Sequence, residues 1–158
     1  MHDLESTDTA IITALQRDGR LTNSDLATRI NLSPSATLRR VRRLEETGVI
    51  TGYHATIAPS ALGLATTVFV EVRLESQRED VLYAFEEAAG GVREIVGCHL
   101  ISGDADYLLR VQTDGVSGFE QVHTRHLSRL PGVVHIRSYF AMRSVFDRAN
   151  RYANAPSR

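Results

Sequence analysis

The hydrophobic residues of this chain change their period near residue 50, and neither a helix bundle nor a sheet alone satisfies both halves. As far as "RLEETGVI" they recur at helical spacing, whereas "TTVFVEVRLE" and later stretches alternate one in two. A helical unit followed by a mixed unit follows, which makes the chain α+β. In "STDTAIITALQRDGR", Ile11, Ile12 and Leu15 share a helical face behind a Ser6/Thr7/Asp8 start signal, and Gly19 supplies the stop. In "LTNSDLATRI", Thr22 caps while Asp25 reaches back, and Leu26 and Ile30 share a face at i, i+4. Asn31 accepts the left-handed conformation that ends this second helix. Ser33 is an N-cap and Pro34 a first helical residue, so a third helix runs from there to Glu46 and stops at Gly48. Two helices joined by a tight turn and preceded by another are the layout of a helix-turn-helix module.

The third helix concentrates charge, because "RRVRR" sets four arginines into positions 39 to 43. At roughly 100° per residue, Leu38, Val41 and Leu44 fill a docking arc. Arg39 and Arg43 then point almost opposite to it, and Arg40 and Arg42 flank them. The formal net charge is −1, so a polyanion would be met by this patch and not by a global field. All 18 basic residues are arginine. Genome composition explains that bias as readily as function, although guanidinium groups suit bidentate contacts with phosphate or guanine. The bland alternative is a solvated basic face balanced by Glu45 and Glu46. The small residues Ser35 and Ala36 favour close approach to DNA, with N-terminal residues at base edges and arginines on phosphates.

Beyond this point Val49 and Ile50 lead into a short extended stretch, and Pro59, Ser60 and Gly63 mark a connector. Val68, Val70, Val72 and Leu74 line one face of a strand. "REDVLYAFEEAAGG" predicts a helix with Val81, Leu82, Phe85 and Ala89 inward, stopped at Gly90-Gly91. "VREIVGCHLIS" and "DYLLRVQT" predict strands separated by a "GDA" hairpin turn. A second helix follows through Phe119, Val122, His126 or Leu127, and Leu130, then a fourth strand in "VVHIRSYFAM". The order βαββαβ is the ferredoxin-like split unit, four antiparallel strands with two helices on one face. Its other face needs cover, which suggests a partner subunit. The expected divisions are a helix-turn-helix domain at 1–50, a hinge at 51–64, the βαββαβ domain at 65–146 and a polar tail at 147–158.

Catalytic chemistry finds little support. His123 and His126 lie at i, i+3, and His99 and Asp106 could extend a metal set, yet no Glu or Cys accompanies the pair in a hydrolytic motif. Packing or surface roles suit both histidines better, so no metal and no cofactor are expected. No phosphate loop or nucleophile elbow occurs, and the chain reads as no enzyme. The single cysteine, Cys98, excludes an intramolecular disulfide framework and is expected buried and inert on its strand. Without a basic-then-apolar leader at "MHDLESTDTA", and without an apolar run of spanning length, a cytoplasmic protein with no membrane partner is expected. "SGDADY" has the chemistry for a free amino acid: glycine exposes backbone N–H donors for a carboxylate, and Asp104 and Asp106 can neutralise an ammonium. It also has the composition of an ordinary turn.

Taken together, "LESTDTAIITALQRDGRLTNSDLATRINLSPSATLRRVRRLEETGVITGYHA", "CHLISGDADYLLRV" and "LPGVVHIRSYFAM" resemble the leucine-responsive regulator/AsnC family of transcription factors, over nearly the whole chain. The resemblance implies a winged or plain helix-turn-helix, a hinge, and an effector-binding domain that dimerises through its sheet. Dimers would assemble into tetramers, octamers or larger discs, with an effector, mostly an amino acid, bound between dimers. Carried over by position, contacts to double-stranded operator DNA fall on Ser33, Pro34, Ser35, Thr37, Arg39, Arg40 and Arg43. Effector contacts fall on Gly103, Asp104, Asp106 and Tyr107, with Asp114, Ser138 and Tyr139 facing them. Two departures from the family pattern occur: Asp114 is followed by Gly115, which displaces the usual acid by one residue and bears on the ligand's identity, and Phe146 stands where a lysine is usual. A stand-alone amino-acid sensor that acts through protein partners without DNA is the alternative function.

Overall fold

The computed structural model describes residues 4–145, and these fall into two compact units, 4–56 and 57–145. The expected polar tail and Phe146 lie outside the described residues. In the first unit, α1 (Ser6–Arg17), α2 (Asn23–Arg29) and α3 (Pro34–Glu46) surround a core of Ile11, Ala14, Leu26 and Leu44. The N-cap of α1 is Glu5, one residue before the expected signal, and it forms a capping box with Asp8. Thr22 caps α2 by accepting from the Asp25 N–H at 3.1 Å, while its hydroxyl donates to the Asp25 carboxylate at 2.6 Å. Asp25 therefore reaches back to the hydroxyl. Asn31 takes a φ of 54°, and the Ser33 hydroxyl accepts from the Ala36 N–H at 3.3 Å to open α3.

One expectation for this unit changes. Leu38 was expected to dock and is 39% exposed, whereas Thr37 is fully buried. Thr37, Val41 and Leu44 stand at i, i+4, i+7, so the docking stripe is rotated by one residue from the predicted arc. Val49 and Ile50 pack on the core, ahead of residues 51–58, which form no helix or strand.

The second unit opens with a single 3-10 turn, Pro59–Leu62, and continues as β1 (Thr66–Leu74), α4 (Glu79–Gly90), β2 (Ile95–Leu100), β3 (Tyr107–Thr113), α5 (Val116–Arg125) and β4 (Val133–Phe140). The sheet order is β2-β3-β1-β4 with every neighbouring pair antiparallel, the ferredoxin-like arrangement expected. Val68, Val70, Val72 and Leu74 meet Tyr107, Leu109 and Val111 under Phe85, Ala89, Phe119 and Val122 of the helices. Phe85 and Tyr107 stack with ring centroids 4.5 Å apart. Gly118 sits inside α5 because a Cβ there would meet Asp114 Oδ1 at 1.8 Å.

Two details differ from expectation, and one choice left open is resolved. The β2–β3 connection is a six-residue loop, 101–106, closed by the Ile101 N–H to Asp106 carbonyl bond at 2.9 Å, and not a three-residue turn. Leu127 is the inward residue of the expected pair, because α5 ends at Arg125 and a 3-10 turn carries Leu127 into the core while His126 is exposed. Cys98 is exposed where burial was expected, on the edge strand β2. The opposite sheet face carries Phe69, Glu71 and Arg73 of β1 paired with Tyr139, Arg137 and His135 of β4. No described helix is long and apolar enough to cross a membrane.

Candidate nucleic-acid interface and effector loop

The α3 surface is assembled by its own first turn. The Thr37 hydroxyl donates to the Ser33 carbonyl at 3.0 Å, and the Asn23 side-chain amide donates to the Pro34 carbonyl at 2.8 Å, tying the α2 start to the α3 start. Ser33, Pro34, Ser35 and Arg39 are exposed, as the DNA assignment requires. Thr37 is buried and its hydroxyl is committed to the helix backbone, so it can support the contact surface but offers nothing to a base. Arg40 and Arg43 are held from below by Asp8, whose carboxylate has no solvent exposure. Glu5 holds Arg40 a second time at 2.7 Å. These acids raise the Arg40 pKa beyond its ordinary value, Glu5 first and Asp8 second, through side-chain hydrogen bonds.

Arg39 and Arg42 have no ion pair among the described residues. They flank a shallow cleft of about 350 Å³ on α3, with Ser35, Leu38, Arg43 and Glu46. Leu38, expected in the docking arc, and Arg42, expected in the basic patch but not among the DNA contacts, both line this cleft. The signal for Leu38 was its place at i+3 from Ser35, on the stripe that continues to Arg39 and Arg42. Beyond α3, the Tyr53 hydroxyl donates to Glu45 at 2.9 Å. Burial first, and that bond second, push its pKa up to about 12.

The proposed effector residues do not converge within one chain. Gly103 and Asp104 are exposed in the β2–β3 loop, and Gly103 has a φ of 132°, a conformation side chains other than hydrogen resist. Asp106 is 6% exposed. Its carboxylate accepts from the Leu74 N–H at 2.7 Å and from the Gln77 amide at 2.6 Å. Tyr107 is 1% exposed, beneath Phe85, and donates to Glu86 at 2.7 Å. Its pKa is raised by burial first and then by that carboxylate. Asp106 and Tyr107 thus build the loop from inside, where the sequence reading had them facing a ligand.

Asp114 lies at the far end of β3, at least about 20 Å from the loop at roughly 3.3 Å per residue. Ser138 pairs with Val70 and Tyr139 with Phe69, so these neighbours point to opposite sheet faces. Tyr139 is 44% exposed and its hydroxyl donates to Glu71 at 3.2 Å. Arg137, 3.7 Å from Glu71, has its pKa raised by Tyr139 first, then Glu71, and more weakly by Asp104. Of the two loop acids, Asp104 is the exposed one and Asp106 the buried one. Cys98 lines a second cleft with Glu86, Gly90 and Leu100, and partial burial followed by Glu86 raises its thiol pKa, which keeps it protonated and unreactive at neutral pH.

Comparison with known proteins gives concordant matches for both units. Residues 4–51 match a family model described as winged helix-turn-helix DNA-binding, and residues 67–150 match one described as the Lrp/AsnC ligand binding domain. The leucine-responsive regulatory protein of Escherichia coli K12 is 43% identical over 143 residues, covering 90% of this chain and 87% of its own. The crystal structure of an AsnC family transcriptional regulator from Agrobacterium tumefaciens superposes with a TM-score of 0.87 at 31% identity, over 91% of this chain and 94% of that one. A transcriptional regulator of Neisseria meningitidis, crystallised as a complex with L-Met, gives 0.85 at 30% identity, over 91% and 93%.

Proposed function

The chain belongs to the Lrp/AsnC family of transcriptional regulators, and from that premise we propose that it binds operator DNA through α3 and responds to a free amino acid through its second unit. It is a DNA-binding regulator and not an enzyme. The observation that carries the α3 reading is the outward row of Ser35, Leu38, Arg39 and Arg42, small, apolar and cationic in turn, on a helix whose other side is packed. Small and apolar groups suit base edges, and arginines suit guanine or phosphate.

The working unit is a homo-oligomer: a dimer through the open sheet face around Phe69 and Tyr139, with dimers joining into a tetramer or octamer. That assembly supplies what one chain lacks, since the loop at Gly103 and Asp104 and the acid at Asp114, at the far end of β3, meet only if different copies contribute them. It works in the cytoplasm, where its DNA lies. The L-Met complex of the Neisseria relative supports an amino acid as the effector.

A gel shift of the full chain on the region upstream of its own gene tests the DNA reading, and a thermal-shift screen against the amino acids tests the effector. An amino acid at a hundred times its Kd should stabilise the protein by roughly 2.7 kcal/mol. A stabilising amino acid without any gel shift would favour a sensor acting through protein partners.

A further inference from the structure

A carboxylate with no access to water needs close compensation, or its desolvation destabilises the fold. Asp8 finds it in the helix that faces DNA. One oxygen lies 3.0 Å from Arg40 Nη1 and the other 2.5 Å from Arg43 Nη2, and the Glu5 N–H donates to the latter at 3.3 Å. Arg40 Nη2 lies 2.7 Å from Glu5 Oε2. Glu5, Asp8, Arg40 and Arg43 thus form a tetrad without net charge, drawn from the first turn of α1 and the middle of α3. Half of the arginine run is internally neutralised.

We propose that this tetrad is an electrostatic brake: Asp8, assisted by Glu5, withdraws Arg40 and Arg43 from phosphate, so that α3 engages duplex DNA with two arginine charges where its sequence carries four. Asp8 is then a positioning residue that sets selectivity without touching DNA. Phosphate contacts bind any sequence alike, and flexible arginines can make them in many registers. Holding two of them down lowers affinity for arbitrary DNA and leaves recognition to the outward row. The inference rests on α3 being the DNA-facing helix.

The test measures binding of the full chain to a labelled duplex of arbitrary sequence between about 50 and 200 mM salt. Asp8→Asn, folded by circular dichroism, should bind this duplex several-fold more tightly at low salt. It should also steepen the slope of log K against log salt by about one to two per recognition helix engaged. Asp18→Asn removes the same charge from an exposed position in the same unit, so it should leave the slope at the wild-type value. An unchanged slope in folded Asp8→Asn, or an equal change in Asp18→Asn, overturns the brake. If Asp8→Asn does not fold, Glu5→Gln decides: its side chain is 57% exposed, and it should steepen the slope by up to about one, whereas a wild-type slope overturns the inference. Wild-type protein that binds no duplex would instead overturn the assignment of α3 to DNA, and the brake with it.

Discussion

Leu38 stands among Ser35, Arg39 and Arg42 with 39% of its surface open, and on the proposed DNA-facing helix an apolar group so placed suits the thymine methyl. Leu38→Ala should weaken operator binding by about 1–2 kcal/mol and leave affinity for arbitrary duplex unchanged. Replacing the contacted thymine by uracil should weaken the wild type and have no further effect on the variant. A second residue-scale outcome concerns Tyr107, whose folded pKa lies above the ordinary tyrosine value of about 10. Its neutral form is favoured in the folded state, so its contribution is complete below about pH 10 and is lost as pH rises further and the unfolded chain ionises first. Urea melts should therefore lose stability above that pH, and Tyr107→Phe should flatten the dependence. At this scale the apolar spacing of α3 misplaces its roll by one residue. Thr37 rather than Leu38 is buried, and Arg40 and Arg43 are held by an acid 32 and 35 residues earlier, which helical spacing cannot reveal.

The elements themselves were largely legible, because alternation in β1 and the Ser33-Pro34 start of α3 are local signals that packing did not contradict. The β2–β3 loop was not, since its length depends on Asp106 binding Leu74 and Gln77, 32 and 29 residues away in the chain. Gly-Asp-Ala-Asp reads as a tight turn until those partners are known. The two acids of this loop should consequently separate by experiment. Asp106→Ala leaves the Leu74 N–H without an acceptor in the interior and should cost about 1–3 kcal/mol, read as a lower midpoint in urea. Asp104→Ala, at an exposed position, should alter stability by less than about 0.5 kcal/mol while abolishing the stabilisation by whichever amino acid the thermal screen finds. A ligand response retained in Asp104→Ala would remove the loop from the effector site.

For the whole molecule, the open sheet face decides what the chain can assemble into. Phe69 pairs with Tyr139 there, and Glu71 with Arg137, so the centre is aromatic and its charges are already matched within the chain. The centre of the face can be covered by a second copy without stranding the Glu71–Arg137 pair. Phe69→Glu should place an unpaired carboxylate at that junction and move the protein toward monomer in sedimentation velocity at micromolar concentration, with a folded spectrum. That one sheet face stays open was legible from the βαββαβ order. Its pairing was not, because Glu71 and Arg137 lie on strands 66 residues apart and meet only through register. One bond described above also carries a spectroscopic consequence. The Leu74 amide ends a sheet strand, yet its acceptor is the carboxylate of Asp106 in the loop, so its chemical environment follows the loop and not the sheet. Its resonance in an isotopically labelled sample is a native reporter: a shift on adding an amino acid would record movement of the loop from inside the protein, without a dye or a tag.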